Sequence, residues 1–273
     1  MKGIFPPGKG FASLPGQVTG TGETQTVNAL FFPSPVGGAP VYHCAETSST
    51  IDDAKRLVSG GAAIGTVVWA DFQTRGRGRF SDRQWESPRA ENLLFTLILS
   101  QPTTQSGSAA LPLRVGLEVA AVLEEHCGCR PLLKWPNDIM LEGKKTAGIL
   151  CQIYRERALV SVGVNCNQQT FPPALRERAT SLSLCTGREI DRQALLFHLL
   201  AALGGLAEND DWRPEAEKRL FGLGQYVSIK ETRGNATLVE GELAGLGKQG
   251  ELLVRPAGSE DIVPVVSGTL VVG

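Results

Sequence analysis

Residues 131–165 have the sequence PLLKWPNDIMLEGKKTAGILCQIYRERALVSVGVN. Three apolar runs lie in this stretch, at residues 131–135, 147–154 and 159–165, and their lengths are typical of strands. Glu142 and Gly143 lie between the first two runs and predict a hairpin. The middle of the chain is therefore predicted to be rich in β-structure.

Helices and further strands are predicted on both sides of this segment. Apolar residues recur at helical spacing in residues 113–125, and Gly128 ends this stripe. Asp191 is a suitable N-cap for a leucine-rich helix, and Ser49 precedes the acidic first turn of another helix, which Gly60 ends. Further strands are predicted at residues 66–70 and 93–99. The second of these is apolar throughout, as in a strand buried on both faces.

Both ends of the chain differ from its middle. Residues 1–42 hold 8 Gly and 6 Pro and show no sustained period, so residues 1–41 are expected to form an extended arm or an irregular lead-in strand. They contain no amphipathic helix long enough to enter a DNA groove. The tail has short strands and Gly-rich turns, which predict a small antiparallel barrel. The predicted strands of the tail are residues 226–230, 237–243, 251–254 and 262–272.

Composition and charge exclude several classes of protein. Lys and Arg total 27 against 28 Asp and Glu, so the net charge of −1 attracts neither nucleic acid nor an anionic membrane. No apolar run approaches the roughly 20 residues that cross a bilayer, and Pro and Gly occupy the place of a signal peptide's apolar core. The six cysteines form no C-x-x-C pair and are interpreted as free thiols. We therefore expect a cytoplasmic protein that binds neither DNA nor membranes.

A loop rich in Gly and Arg, at residues 73–79 (QTRGRGR), follows one of the predicted strands. Its glycines allow the backbone to approach a ligand closely, and its arginines offer paired donors to a carboxylate or a phosphate. An anionic small molecule therefore suits this loop. A solvated basic loop or an RNA-binding segment would have the same composition.

Two further motifs surround the predicted hairpin. Residues 134–138 (KWPND) place a lysine, an amide and a carboxylate at a strand end, where they could hold phosphate, metal and substrate. Residues 144–149 (KKTAGI) place two lysines before small residues that suit the close approach of a ligand. Taken singly, the first could be an ordinary turn, and the lysines of the second could be solvent-exposed.

The order and spacing of these motifs resemble those of the biotin protein ligases. The match runs over about residues 43–205, and the tail is similar to the family's SH3-like C-terminal domain. The matching positions are Ser49 and Thr50, Gln73, residues 76–79, Trp85, Asn92 and Leu93, residues 134–138, residues 145–150 and residues 163–165.

The resemblance implies an α+β fold. A class II aminoacyl-tRNA-synthetase-like catalytic domain, a mixed sheet with helices, would occupy residues 42–213. A small SH3-like β-barrel would occupy residues 214–273, and residues 1–41 would be a Pro/Gly-rich N-terminal extension. The implied activity has two steps: biotin is activated with ATP to biotinyl-5′-AMP, and biotin is then transferred to a lysine of a biotin carboxyl carrier domain. Mg²⁺ is expected on the phosphates.

The resemblance also implies roles for individual residues. Lys145 would be the catalytic residue, assisted by Arg77 and Arg79, because cations must offset the repulsion between a carboxylate and a phosphate. Asp138 is a candidate ligand of Mg²⁺. The implied biotin-binding residues are Ser49, Thr50, Ile51, Gln73, Arg77, Gly78, Arg79, Lys145 and Gly148. The implied ATP- and adenylate-binding residues are Trp85, Lys134, Asn137 and Asn165.

Two departures from the family pattern leave alternatives open. Ile51 stands where the family has Asn, and residues 80–83 replace a second Gly-Arg pair, apparently with one extra residue before Trp85. A lipoate or octanoate ligase on the same fold is therefore one alternative. A non-catalytic RNA-binding module is another, although the net charge and an aromatic content of 6% oppose it. The family's DNA-binding domain has no counterpart in residues 1–41, which predicts a ligase without repressor activity; dimerisation through an edge strand stays open.

Overall fold

A mixed sheet of eight strands forms the main part of the protein, which we describe from a computed structural model. The structure describes residues 27–30, 33–80, 84–102, 109–206, 211–232 and 236–273. The strands of the large sheet are β1 (Val27–Leu30), β2 (Val41–Cys44), β3 (Val67–Ala70), β4 (Leu93–Ser100), β5 (Leu132–Lys134), β6 (Asp138–Leu141), β7 (Lys144–Tyr154) and β8 (Arg157–Val164). Their order is β1-β2-β3-β4-β8-β7-β6-β5, and β2 and β3 are parallel whereas the other neighbours are antiparallel.

Helices cover both faces of this sheet. The helices of the described residues are α1 (Thr50–Ser59), α2 (Leu111–Cys127), α3 (Leu182–Thr186), α4 (Arg192–Gly204) and α5 (Arg213–Lys218). In β4, Ile98 is buried in the apolar cluster that includes residues of α1, whereas Phe95 and Leu97 are buried in the cluster that includes α2 and α4. Because successive side chains of a strand point to opposite faces, β4 needs apolar residues at almost every position. The prediction of a strand buried on both faces is therefore confirmed.

A separate sheet of five antiparallel strands follows the helices. Its strands are β9 (Tyr226–Lys230), β10 (Thr237–Leu246), β11 (Leu252–Pro256), β12 (Val263–Val265) and β13 (Thr269–Val272), in the order β12-β11-β10-β9-β13. Val227, Ile229, Leu243 and Val254 are fully buried in its core. The sheet is consistent with a small barrel-like domain, so the α+β class and the β-rich tail are confirmed. Residues 262–272 form two strands instead of the single predicted one, and Gly268 between them has a φ of +152°.

The helix ends show which local predictions hold. Gly128 follows α2 with a φ of +65°, and the Asp191 carboxylate accepts hydrogen bonds from the backbone N–H groups of Gln193 and Ala194 at the start of α4. Ser49 occupies the N-cap position of α1, but its side chain makes no capping hydrogen bond. The turn prediction at the end of the KWPND motif is also incomplete, because β6 begins within the motif.

The large sheet extends into the N-terminal segment. β1 pairs antiparallel with β2, so residues on both sides of position 41 share one sheet, in keeping with a lead-in strand. At the other predicted boundary, α5 continues from Arg213 to Lys218. The predictions for residues 1–26 and 81–83 lie outside the described residues. Within the described part of the chain, no helix combines the length and the hydropathy that crossing a bilayer requires.

The two sheets meet at the end of the large sheet that β5 forms. The backbone of Leu133 donates a hydrogen bond to Arg219 (2.7 Å) and accepts one from Phe221 (2.9 Å). The Trp135 indole Nε1 donates to the carbonyl of Gly250 over 2.9 Å. The KWPND motif therefore lies at the junction between the large sheet and the C-terminal sheet.

Candidate active site

Two glycines and a tryptophan form the floor of the site. Gly148 on β7 lies directly opposite Gly163 on β8 in the strand register. A Cβ atom at either glycine would lie 2.8 Å from the indole ring of Trp85, closer than side-chain contacts allow. The absence of side chains at both positions therefore lets the Trp85 ring lie against the backbone of the central strands.

The Gly/Arg loop folds back over this floor. The backbone N–H groups of Thr74 and Arg75 donate to the carbonyls of Thr47 and Ser48, both over 2.9 Å. The N–H of Trp85 donates to the carbonyl of Gly76 over 3.0 Å, and a Cβ at Gly76 would lie 2.4 Å from the Trp85 oxygen. Glycine at position 76 is therefore required by the close approach of the two backbone segments.

Two arginines of the loop reach opposite sides of the site. Arg77 donates through Nε and Nη2 to the Asp52 carboxylate in the first turn of α1, over 3.0 and 2.8 Å. Arg79 donates through Nη1 to the carbonyl of Gly268 in the C-terminal sheet over 3.1 Å. The loop is thus attached to a helix of the main domain on one side and to the C-terminal sheet on the other.

A small cavity of about 70 Å³ lies under the loop. Its walls include all nine residues that the sequence assigned to biotin: Ser49, Thr50, Ile51, Gln73, Arg77, Gly78, Arg79, Lys145 and Gly148. Tertiary structure therefore brings this set together around one cavity. Their individual contacts with a ligand stay predictions.

A chain of polar side chains lies along this cavity. Gln73 Oε1 accepts from the backbone N–H and the hydroxyl of Thr50, over 2.8 and 3.1 Å. The Thr50 hydroxyl is 2.9 Å from that of Thr96, which is 2.7 Å from that of Ser161. Gln73 thereby supplies the cap of α1 that Ser49 was predicted to supply. The sequence interpretation missed Thr96 and Ser161, although each is a hydroxyl residue with apolar residues on both sides in its strand.

Lys145 lies between this cavity and a wider cleft. Its Nζ is 2.6 Å from Asp138 Oδ1 and 5.5 Å from the centre of the Trp85 ring. Its backbone donates to the carbonyl of Arg178 (2.8 Å) and accepts from the N–H of Thr180 (2.9 Å). These backbone bonds fix the lysine at the start of β7, where its side chain lines both spaces.

The wider cleft, of about 1200 Å³, is bounded by the C-terminal sheet and carries several cations. The cationic residues of its walls are Arg79, Lys134, Lys145 and Arg178. Burial lowers the pKa of Lys134; the charge of Asp138 opposes this shift, and the charges of Lys145 and Arg178 add to it. Arg178 was missed by the sequence interpretation, because nothing local marks it as different from other exposed arginines.

The asparagines assigned to the adenylate are held by the protein itself. Asn137 donates through Nδ2 to the carbonyl of Ile149 over 2.7 Å. The amide of Asn165 is buried; it donates to the Thr180 carbonyl over 3.0 Å and lies 3.5 Å from the amide of Asn92. Both asparagines line the wide cleft together with Trp85 and Lys134. The structure therefore brings together the four residues assigned to ATP and the adenylate. Their contacts with ATP stay predictions.

A metal ion would find few protein ligands here. Within the described ranges, no group of three or more His, Cys, Asp and Glu side chains is arranged to hold one. Asp138 lines the wide cleft as a carboxylate that pairs with Lys145. This arrangement suits Mg²⁺ that arrives on a nucleotide, because Mg²⁺ is usually held by substrate phosphates and one or two carboxylates.

Comparisons with known proteins agree with this geometry. The model of the biotin/lipoate A/B protein ligase family matches residues 44–168. A biotin protein ligase from Aquifex aeolicus, solved in complex with biotin and ATP, is 30% identical with a TM-score of 0.73, and the alignment covers 85% of this chain and 98% of that one. The chain belongs to the biotin/lipoate A/B protein ligase family. The resemblance to biotin protein ligases is thereby confirmed.

Two relatives in this family differ from each other in length. The bifunctional ligase/repressor BirA of Bacillus subtilis (strain 168) is 39% identical over 167 residues, which are 59% of this chain and 51% of the relative. The biotin–[acetyl-CoA-carboxylase] ligase of Paracoccus denitrificans is 29% identical over 233 residues, which are 81% of this chain and 96% of the relative. The chain thus spans about half the length of the Bacillus relative and nearly all of the Paracoccus one.

One departure from the family pattern has a structural counterpart. Ile51 is 1% exposed and belongs to the apolar cluster that includes Ala54 of α1 and Ile98 of β4. Its position in the cavity wall therefore offers a ligand an apolar surface, whereas asparagine would offer hydrogen bonds. The other departure, residues 81–83, lies outside the described residues.

Proposed function

We propose that this protein is an ATP-dependent biotin–protein ligase that forms biotinyl-5′-AMP and transfers biotin to a lysine of a biotin carboxyl carrier domain. One observation carries the proposal: Lys145 lines both the small cavity under the Gly/Arg loop and the wide cationic cleft. A carboxylate in the cavity and a triphosphate in the cleft would meet at its ammonium group.

The first step joins two anions. An oxygen of the biotin carboxylate attacks the α-phosphorus of ATP, the bond from that phosphorus to the β-phosphate bridging oxygen breaks, and pyrophosphate leaves. Charge grows on the leaving pyrophosphate as the new bond forms. Lys145, Lys134 and Arg79 lower the cost of bringing the anions together, because their charges act in a partly dehydrated space.

The second step uses the acceptor's amine. The amine attacks the carbonyl carbon of the mixed anhydride, the bond to the phosphate oxygen breaks, AMP leaves, and the amine loses a proton. The Gly/Arg loop would shield the anhydride from water between the steps, because its two arginines attach it to both sides of the site.

Mg²⁺ would enter with ATP and neutralise phosphate charge. Asp138 is the residue proposed to meet it at the edge of the cleft. We further propose that the protein acts in the cytoplasm, that residues 42–213 carry the catalysis and that residues 214–273 form a separate C-terminal domain closing the cleft. Gly268 and Trp135 support the last point, since both join the C-terminal sheet to the site.

The proposal is tested by incubating the purified protein with ATP, Mg²⁺ and either radiolabelled biotin or radiolabelled lipoate, followed by chromatography of the acyl-adenylate. We expect biotinyl-AMP, and biotin transfer when an apo-carrier domain is added. A lipoyl-adenylate without a biotinyl one would assign the protein to lipoate instead. Formation of neither adenylate would refute the proposed function.

A further inference from the structure

Two of the three histidines of the chain meet on the surface, outside the proposed active site. His126 lies in the last turn of α2, and His198 lies in the middle of α4. Nε2 of His126 is 2.6 Å from Nδ1 of His198, although 72 residues separate them in the chain. Neither ring lines the small cavity or the wide cleft. The proposed reaction therefore does not use this pair.

The facing nitrogens of the two rings are atoms that can bind a metal ion. At 2.6 Å one nitrogen donates a proton and the other accepts it, so at least one of them presents a lone pair. The ring planes are tilted by 49° and their centroids lie 4.8 Å apart, so the rings meet at their edges and are not stacked. A metal ion that replaced the shared proton would be bound by both rings.

Little movement separates this hydrogen bond from a chelate. Zn²⁺ lies about 2.0 Å from an imidazole nitrogen, so two nitrogens bound to one tetrahedral ion are about 3.3 Å apart. The nitrogens, now 2.6 Å apart, would have to separate by less than about 1 Å. His126 is half-buried and His198 is exposed, so the exposed ring can make most of this adjustment.

The charges around the pair suit a cation. Besides His198, the charged side chains that act on His126 are two carboxylates, Glu125 and Asp191, and one guanidinium, Arg188. Arg188 donates a hydrogen bond to the backbone carbonyl of His126. Two negative charges against one positive charge lower the cost of placing a divalent ion at the pair.

The number and type of the protein ligands limit the kind of ion. Among the residues that the structure describes, no third His, Cys, Asp or Glu side chain joins the pair in a metal-binding arrangement. Water would fill the remaining positions, as it does at open zinc sites. Mg²⁺ and Ca²⁺ prefer oxygen ligands, whereas imidazole suits Zn²⁺, Ni²⁺ and Cu²⁺. The pair is therefore unsuited to the Mg²⁺ that would accompany ATP.

We propose that His126 and His198 form a two-histidine site for a divalent late transition-metal ion, of the class of Zn²⁺ and Ni²⁺. Because the two ligands belong to different helices, the ion joins the C-terminal end of α2 to α4. An ion that binds the folded chain and not the unfolded chain stabilises the fold by mass action. The site goes beyond the proposed function and does not depend on it.

The test is titration of the full chain with Ni²⁺ at neutral pH, followed by NMR of the histidine rings and by thermal unfolding. Ni²⁺ is paramagnetic and broadens the signals of the rings that bind it, and the three histidines give three sets of ring signals. His126→Gln and His198→Gln each remove one ligand. His43→Gln is the matched control, because His43 is the third histidine and pairs with Asp71 over 3.1 Å.

We expect the ring signals of His126 and His198 to broaden at low Ni²⁺ while those of His43 stay sharp. Loss of either ligand should weaken Ni²⁺ binding about 100-fold or more, because even residues that only support a metal ligand contribute about 10–100-fold. Ni²⁺ should raise the unfolding midpoint of the wild type and of His43→Gln. It should not raise that of His126→Gln or His198→Gln.

Three results overturn the proposal: no binding of Ni²⁺ by the wild type, equal broadening of the His43 signals, or a Ni²⁺ affinity that both ligand variants leave unchanged. If His126→Gln does not fold, His198→Gln decides alone, because its side chain is exposed. With Mg²⁺ and ATP, His198→Gln should form biotinyl-AMP as the wild type does. The proposed function and the metal site are thereby tested separately.

Discussion

The guanidinium of Arg79 donates a hydrogen bond to the carbonyl oxygen of Gly268, 189 residues further along the chain, over 3.1 Å. The same guanidinium lies 5.9 Å from the ring of Trp135, whose Nε1 binds the Gly250 carbonyl. The loop over the small cavity is thus joined to the C-terminal sheet. The loop and the C-terminal sheet are therefore in direct contact at the edge of the site.

Loss of Arg79 should release the adenylate. Arg79→Ala removes the link to Gly268 and one cation of the cleft, so biotinyl-AMP should dissociate about tenfold faster or more, as for other hydrogen bonds to charged groups. The measurement is the off-rate of labelled adenylate after a chase with unlabelled biotin and ATP. Arg75→Ala is the control, because Arg75 is exposed on the same loop and lines neither space. Equal off-rates for Arg79→Ala and the wild type would contradict the proposed closure.

Replacing Lys145, which lies between the small cavity and the wide cleft, should strongly slow the first step of the reaction. Lys145→Ala should slow adenylate formation by about 10²–10³-fold, the usual effect of losing one group that stabilises developing charge. Single-turnover release of pyrophosphate measures this rate directly. Lys144→Ala changes the neighbouring lysine, which pairs loosely with the exposed Glu177 over 4.0 Å, and should keep the wild-type rate. If both variants formed the adenylate equally slowly, the rate would depend on the total positive charge of this segment and not on the position of Lys145.

Arg178 should contribute to the binding of the triphosphate. Its backbone is paired with that of Lys145, and its side chain lines the cleft beside Lys134. Arg178→Gln should raise the KM for ATP about threefold to tenfold while leaving the Kd for biotin unchanged, because a solvent-exposed cation contributes modestly. Arg176→Gln is the control, since Arg176 is exposed on the same segment and does not line the cleft. A higher Kd for biotin with an unchanged KM for ATP would show that Arg178 acts on the small cavity and not on the triphosphate in the wide cleft.

A methyl group at Gly163 should displace the tryptophan of the floor. Its Cβ would lie 2.8 Å from Cε2 and 3.0 Å from Cζ2 of Trp85, so the ring must move away from the strands. Gly163→Ala should therefore weaken ATP binding about tenfold or more, as when an aromatic stacking surface is lost, with a smaller effect on the unfolding midpoint. Titration with an ATP analogue and thermal unfolding measure the two effects. Gly60→Ala serves as control, because an added Cβ there meets no atom closer than 3.4 Å.

The ion-paired carboxylate of Asp71, which lies outside the small cavity, should make the stability of the fold depend on pH. Burial raises the pKa of Asp71, but hydrogen bonds and charges from His43 and Arg192 outweigh this and hold it below the ordinary 3.8. A carboxylate with a lowered pKa stabilises the folded state above about pH 4, and the contribution is lost as the pH falls through its folded-state pKa. Asp71→Asn should cost about 1–3 kcal/mol at pH 7 and less at pH 3, measured by urea unfolding. Asp261→Asn, at an exposed position, should cost little at either pH. A cost for Asp71→Asn that is equal at both pH values would show that the charge of Asp71 is not responsible.

Much of the local structure could be predicted from the residues alone. The apolar run of β4, the stripe of α2 and the cap of Asp191 depend on neighbours a few positions away, and the structure has all three. β6 was missed because the turn-forming residues of KWPND lie at its start, and turn preferences do not show which strand pairs next. The break at Gly268 was missed because the apolar residues on both sides of it were taken as one strand, although Ser267 and Gly268 are turn-forming residues.

The family, the chemistry of the motifs and nine of the residues that line the small cavity follow from the sequence. Three contacts depend on tertiary packing: Gln73 caps α1, Gly148 and Gly163 lie side by side under Trp85, and the Gly268 carbonyl accepts a hydrogen bond from Arg79. The two groups of features differ in how far along the chain the interactions that produce them extend. Helix and strand preferences act over a few residues, whereas these contacts depend on the order of the strands in the sheet and on the docking of a second sheet. The polar side chains of Gln73, Thr50, Thr96 and Ser161 contact one another only once four separate segments have been packed together.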